Sequence, residues 1–106
     1  GRNFDSSPPA IDVLASVVDA VGDRATVLFD SGVRRGADVV KALAIGAKAV
    51  LIGRATLYGC AAGGQAGARH AIDLLANEID VAMAMVGVNR LDELDRSYLL
   101  PGTIRA

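Results

Sequence analysis

Thr26-Val-Leu-Phe-Asp-Ser-Gly-Val-Arg-Arg-Gly36 runs from an apolar, β-branched segment through Asp30 and Gly32 into a pair of arginines, and a helical pattern starts directly afterwards. The run from Ala25 to Asp30 lacks polar alternation, which predicts a strand buried on both faces. The arginines stand where a helix N-terminus, with its partial positive charge, favours anions instead. Cations there need an external reason. Ala49-Val-Leu-Ile-Gly-Arg54 repeats the pattern, since a second apolar strand, expected over Ala49 to Ile52, again ends in Gly-Arg ahead of a helical stretch.

Working outward, Ser6-Ser7-Pro8-Pro9 is a helix-start signal, with the serines as candidate N-caps and the prolines in the first turn. Ile11, Leu14, Val17, Val18 and Val21 share one helical face up to Gly22. Gly36 to Ile45 predicts a helix ended by Gly46, and Ala55 to Ala62 predicts a short one broken by Gly63-Gly64. The last long helix is expected from about Gln65 to Met85, with Ala68, Ile72, Leu75, Ile79, Ala82 and Met85 as its apolar stripe. A short helix near Leu91 to Leu94 and a polar tail follow.

Helices alternating with buried strands predict α/β architecture with a parallel sheet. Two such strands need further neighbours, so the fold class expected is the last two βα units of a (β/α)8 barrel, whose whole takes roughly 250 residues. Phosphate sites in such barrels sit after strands 7 and 8, where both Gly-Arg sequences would fall. The opening residue Gly1, in place of methionine, fits a piece of a longer chain.

Composition narrows the function. The 106 residues are 52% hydrophobic, with 11 Lys and Arg against 12 Asp and Glu and a net charge of −1, so no basic field draws in nucleic acid. One cysteine, Cys60, rules out an intrachain disulfide and a cysteine-built zinc site, and no metal site is expected. A single thiol suits a reducing compartment, hence a cytoplasmic setting. No apolar run approaches the roughly 18 residues of a membrane span.

What remains is phosphate. Backbone N–H groups at helix starts, glycines that admit close approach and planar guanidinium donors together suit a phosphorylated cofactor. Alone, Arg34 and Arg35 read equally well as loop surface charges; it is the pairing with Gly53-Arg54 that favours phosphate, and Arg34 is the stronger member. Asp30 reads alternatively as the cap of its turn. His70 lies beside Arg69 on the last helix, remote from both strand ends, and is not a candidate base. Cys60, Tyr58, Met83 and Met85 read as packing residues, and Asp92-Glu93 and Asp95-Arg96 as a solvated face.

The segment from Asp30 to Arg54, preceded by Gly1-Arg2-Asn3-Phe4-Asp5, resembles the C-terminal part of the FMN-dependent α-hydroxy-acid oxidoreductases, the family of glycolate oxidase, lactate oxidase, flavocytochrome b2 and mandelate dehydrogenase. Ala55-Thr-Leu-Tyr-Gly59 leans towards the mandelate dehydrogenase branch. The resemblance implies FMN as cofactor and oxidation of a small (S)-2-hydroxy acid to the 2-keto acid. It implies that Asp30, Ser31, Gly32, Val33 and Arg34 lie along the flavin and its phosphate, with Asp30 at the ribityl hydroxyls, and that Gly53 and Arg54 contact the phosphate. Arg2 then matches the arginine of the family's His-Gly-Gly-Arg sequence, which grips the substrate carboxylate. The catalytic histidine would stand two positions before Gly1, so the chain alone is expected to be inactive. Asp5 and Asp30 both remain candidates for the carboxylate beside the imidazolium.

The same resemblance makes residues 1–106 a fragment of one FMN-binding barrel domain, with a helical tail from about residue 65. It implies the N-terminal part of the barrel as partner and a homo-oligomer, tetrameric in the family. One departure touches the substrate end: where many relatives follow the arginine with Gln-Leu-Asp, this chain has Asn3-Phe4-Asp5. Two alternatives stay open. One is another phosphate-binding barrel such as inosine-monophosphate dehydrogenase or type 2 isopentenyl-diphosphate isomerase; the other is a catalytically inert half-barrel.

Overall fold

The computed structural model describes residues 3–102. Helix α1 (Ala10–Val21) leads through a 3-10 turn to strand β1 (Leu28–Phe29), helix α2 (Gly36–Ile45), strand β2 (Ala49–Val50) and helix α3 (Arg54–Val86). Two 3-10 turns, Leu91–Glu93 and Arg96–Tyr98, complete the described chain. The strands pair in parallel, Leu28 opposite Ala49 and Phe29 opposite Val50. Flanking bonds from Lys48 N–H to Val27 O and from Leu51 N–H to Phe29 O, both 2.8 Å, extend the ladder. This is the expected alternation.

Both strands are shorter than expected, and neither is buried on both faces. Phe29 is buried against the helices, whereas its neighbour Leu28 is 56% exposed. In β2, Ala49 is exposed and Val50 half-buried. A strand's side chains alternate between faces, and only the face carrying Phe29 and Val50 has helices packed on it among the described residues.

Helix α2 is the centre of the packing. Its Ala42 and Ile45 join Leu14 and Ala15 of α1, Phe29, Val33 and Ala47 in one apolar cluster. Its Val40 and Ala44 join Val88 and Leu94 in a second, with Ile79, Ala82, Met83 and Leu99 packed around them. Truncating a buried leucine such as Leu94 costs about 2–5 kcal/mol in comparable cores. Leu99, in the expected polar tail, packs against both clusters, so the tail contributes to the core.

Helix boundaries followed the sequence signals more closely than caps did. Gly22 ends α1 at φ 56° and donates its N–H to Val18 O. The N-cap of α1 is Pro9, with no side-chain cap, so the serines do not serve as the cap residue. Helix α3 kinks as expected at Gly63 and Gly64, the latter at φ 58°, a conformation side-chain-bearing residues rarely take. Past the kink the chain folds back so closely that a Cβ on Gly59 would lie 2.5 Å from Gly67 O. The inward face of the second half carries Leu75, Ile79 and Ala82 as expected, but Ile72 and Met85 face outward, Met85 at 83% exposure.

Asp95-Arg96 is more than a solvated face. Arg96 donates to Ile45 O at the end of α2 (3.1 Å) and pairs with Asp19 of α1 at 2.7 Å, strapping the tail across two helices. Asp95 accepts the Ser97 hydroxyl and, at 2.8 Å, the Ser97 N–H, and these two bonds, the hydroxyl first, hold its carboxyl below the usual carboxylate range. Arg90 and Asp92 pair at 2.6 Å and push each other's titration apart, Asp92 down and Arg90 up.

Candidate cofactor cleft

The two loops that leave the C-terminal ends of β1 and β2 open onto one cleft of about 1160 Å³. Asp30, Ser31, Gly32, Val33 and Arg34 line it from the first loop, and Gly53 and Arg54 from the second. Seven of the eight residues singled out from the sequence thus meet in one place. The eighth, Arg2, lies outside the described residues.

The first loop turns sharply. Ser31 sits at φ 90° and Gly32 at φ 76°. A non-glycine residue there is uncommon and costs about 1–3 kcal/mol, and such strain concentrates at functional loops. Asp30 holds the turn by accepting the Ser31 N–H at 2.7 Å on Oδ1. The capping role weighed for Asp30 is therefore present, with Oδ2 left over. Val33 is buried in the core and anchors the loop.

The following residues correct the electrostatic expectation. Asp38, in the first turn of α2, accepts the N–H groups of both Arg34 and Arg35 at 3.0 Å. Arg35 has no side-chain acceptor, so only the returning half of a capping box forms. Glu78, from the far half of α3, accepts the Gly36 N–H at 2.7 Å on one oxygen and the Arg35 guanidinium at 2.8 Å on the other. The Gly36 bond first, then Arg35, hold the Glu78 carboxyl below its ordinary range. The reason for Arg35 is thus internal. The start of α2 is already supplied with anions.

The start of α3 differs. Its N-cap, Gly53, provides no side-chain cap, and the Thr56 hydroxyl turns back to donate to Gly53 O at 2.9 Å. Apart from Gly53 and its chain neighbours, no atom of the described residues lies within 4 Å of where a Gly53 side chain would begin. Among the described residues neither the Arg34 nor the Arg54 guanidinium has a hydrogen-bond or ion-pair partner, in contrast to Arg35. Two free planar cations beside uncapped helix N–H groups and an open glycine are a donor set that suits a phosphate dianion. The residues present fit the phosphate end of FMN.

Similarity to known proteins decides the family. Residues 1–101 match the FMN-dependent dehydrogenase family. The chain belongs to that family. An L-lactate oxidase from Nostoc sp. is 52% identical over 99 residues, covering 93% of this chain and 27% of the relative. A monotopic membrane protein, (S)-mandelate dehydrogenase, superposes with a TM-score of 0.85 at 46% identity, over 90% of this chain and 25% of that one. A mandelate oxidase variant carrying a monooxide FMN adduct superposes with a TM-score of 0.81 at 42% identity, over 86% and 29%. The chain spans about a quarter of the length of the relatives it matches. Its fold is accordingly part of a (β/α)8 barrel, and the family's cofactor is FMN.

Of the two carboxylates left open, Asp30 lines the cleft and Asp5 does not. Tyr58 and Cys60, read as packing residues, are exposed, and Tyr58 lines the cleft with Phe4 and Leu57. One signal for Tyr58 was available: it stands a single helical turn after Arg54. Nothing local pointed to Glu78, which lies 42 residues from Gly36. His70 is exposed on α3 and does not line the cleft. Among the described residues no helix is long and apolar enough to cross a membrane, and no cluster of His, Cys, Asp or Glu could hold a metal ion.

Proposed function

We propose that residues 1–106 form part of a single FMN-binding barrel domain that oxidises a small (S)-2-hydroxy acid to its 2-keto acid, and that this portion supplies the phosphate grip and the substrate-carboxylate arginine. The observation that carries the reading is the pair of guanidinium groups, Arg34 and Arg54, that have no partner among the described residues and line one cleft beside the uncapped start of α3. Arg34, Arg54 and the Gly53 backbone would hold the phosphate. Asp30 offers its remaining oxygen to the ribityl hydroxyls while its first fixes the strained turn. Arg2, outside the described residues, binds the substrate carboxylate through two parallel hydrogen bonds, which a lysine's point charge cannot reproduce. Fixing the acid in this way directs its Cα–H, and positioning of this kind supplies a large share of such a rate enhancement. Bound flavin supplies the two-electron chemistry, which no side chain of the protein provides.

In this reading the proton-abstracting histidine comes from the remainder of the barrel and not from His70. The partners of this portion are the remainder of the barrel and further copies of the same polypeptide. A reducing, cytoplasmic setting belongs to the reading through the single thiol of Cys60. The identity to lactate oxidase and mandelate dehydrogenase supports a hydroxy acid over the nucleotide barrels weighed earlier.

The test is anaerobic mixing of the FMN-loaded full-length polypeptide with L-lactate, (S)-mandelate or glycolate while following the visible flavin absorbance. Bleaching by one of them is expected. A flavin that binds and stays oxidised with all three would overturn the hydroxy-acid reading.

A further inference from the structure

Glu78 takes no part in the cleft, yet it makes the most specific long-range polar contact to the loop that does. It reaches from the second half of α3 to the first residue of α2 and binds it with one oxygen on the Gly36 N–H at 2.7 Å and the other on Arg35 at 2.8 Å. The approach is too close for a side chain at position 36, since a Cβ there would lie 2.5 Å from the carbonyl carbon of Glu78 and also overlap the Ile79 amide nitrogen. Two residues upstream of this clamp stands Arg34, and five upstream is the strained Ser31. Asp38 fixes the Arg34 and Arg35 amides from the other side. The loop between Asp30 and Gly36 is thus pinned at its end by two carboxylates.

Glu78 also settles which arginine stays free. By pairing with Arg35 it leaves Arg34 and Arg54 as the cleft-lining cations without a partner among the described residues, matching the two negative charges of a phosphate monoester.

We infer that Glu78 is a positioning residue for the phosphate end of the cofactor site, acting through the Gly36 N–H to hold the Ser31–Arg34 loop and through Arg35 to keep that cation out of the cleft. This rests on the FMN-phosphate reading proposed above. In metal sites, hydrogen bonds that orient the ligating residues tune affinity by roughly 10- to 100-fold, and the lower end of that range is the expectation for a contact acting through a loop.

The experiment is a fluorescence titration of the full-length apoprotein with FMN and, separately, with riboflavin, which shares the ring and ribityl chain and lacks the phosphate. Glu78→Ala is expected to weaken FMN about tenfold and leave riboflavin within about twofold. Glu78→Gln retains an acceptor for the Gly36 N–H and is expected to recover most of the loss. Unchanged FMN binding, equal losses for FMN and riboflavin, or no recovery in Glu78→Gln would each overturn the inference. If Glu78→Ala does not fold, Glu78→Asp keeps the charge and shortens the reach: an FMN-specific loss supports the role, and no loss or an equal loss overturns it. Arg54→Ala in the same titration separates the two claims. An FMN-specific loss there with none at Glu78 sinks only the positioning role, whereas no loss at Arg54 sinks the phosphate reading itself.

Discussion

The starts of α2 and α3 share a sequence pattern and differ in what satisfies them. Each follows an apolar strand, each carries glycine and arginine, and each lines one cleft with residues of its loop. At α2 the amide groups of Arg34, Arg35 and Gly36 are taken by Asp38 and Glu78. At α3 the cap residue offers nothing, and Arg54 has no partner among the described residues. A helix start with internal carboxylates is closed to an outside anion; one without them is open. In the proposed phosphate site the first junction therefore contributes geometry and one guanidinium, while the second contributes the open helix end.

The largest effect that would break this contrast is at the open junction. Arg54→Ala removes a charged, planar donor from the proposed phosphate, and hydrogen bonds to charged groups contribute about 1.5–3 kcal/mol. FMN affinity of the full-length apoprotein should fall by roughly 10- to 150-fold at the tenfold-per-1.4 kcal/mol conversion, with riboflavin little changed. Equal behaviour of the two flavins in a titration would remove the distinction between the junctions.

At the closed junction the largest expected effect is on stability. Gly36→Ala forces a methyl group into the backbone of α3 at Glu78 and Ile79. Overpacking of this sort costs about 1–3 kcal/mol, read as a lowered denaturant midpoint with an unchanged slope. The corresponding Gly53→Ala meets open space and should leave the midpoint nearly where it was while hindering FMN. A stability loss at Gly53 equal to that at Gly36 would contradict the contrast.

Acid sharpens the same point. Because Glu78 is held below its ordinary value near 4.5 when folded, its contribution to stability is complete above that value and is lost as pH falls through the folded one. Thermal melting should therefore show a Glu78-dependent decline that begins below about pH 4.5. In Glu78→Gln that component of the decline should vanish, leaving the slope due to other carboxylates such as Asp95 and Asp92.

Much of this arrangement was legible in the sequence because its signals are local. Gly22, Gly46 and the Gly63-Gly64 pair punctuate the helices where expected, and the two Gly-Arg loops meet as their positions after parallel strands require. What local pattern could not supply was pairing across the fold. Arg35 looked like the weaker member of a phosphate-binding pair because Glu78 is 42 residues beyond Gly36, and Arg96 looked solvated because Asp19 is 77 residues before it. Burial misled for a related reason. Leu28, Tyr58 and Met85 carry apolar character whose packing partners are not among the described residues, so hydropathy predicted contacts that these elements do not make with one another.

The smallest expected effect is the most discriminating, because it separates adjacent arginines of the same charge. Arg34 and Arg35 differ by one position, yet Arg35 is turned to Glu78 on a partly exposed surface and Arg34 lines the cleft. An exposed ion pair contributes about 0–1 kcal/mol, and the Arg35 side chain adds no donor to the cleft. Arg35→Ala should accordingly leave FMN affinity within about threefold and the melting midpoint within a few degrees, while Arg34→Ala should weaken FMN on the scale of Arg54→Ala. The flavin titration that compares the two arginines checks this directly. If Arg35→Ala proved as costly to FMN binding as Arg34→Ala, then Glu78 would be sharing that guanidinium with the phosphate rather than withholding it, and both helix starts would belong to the anion site.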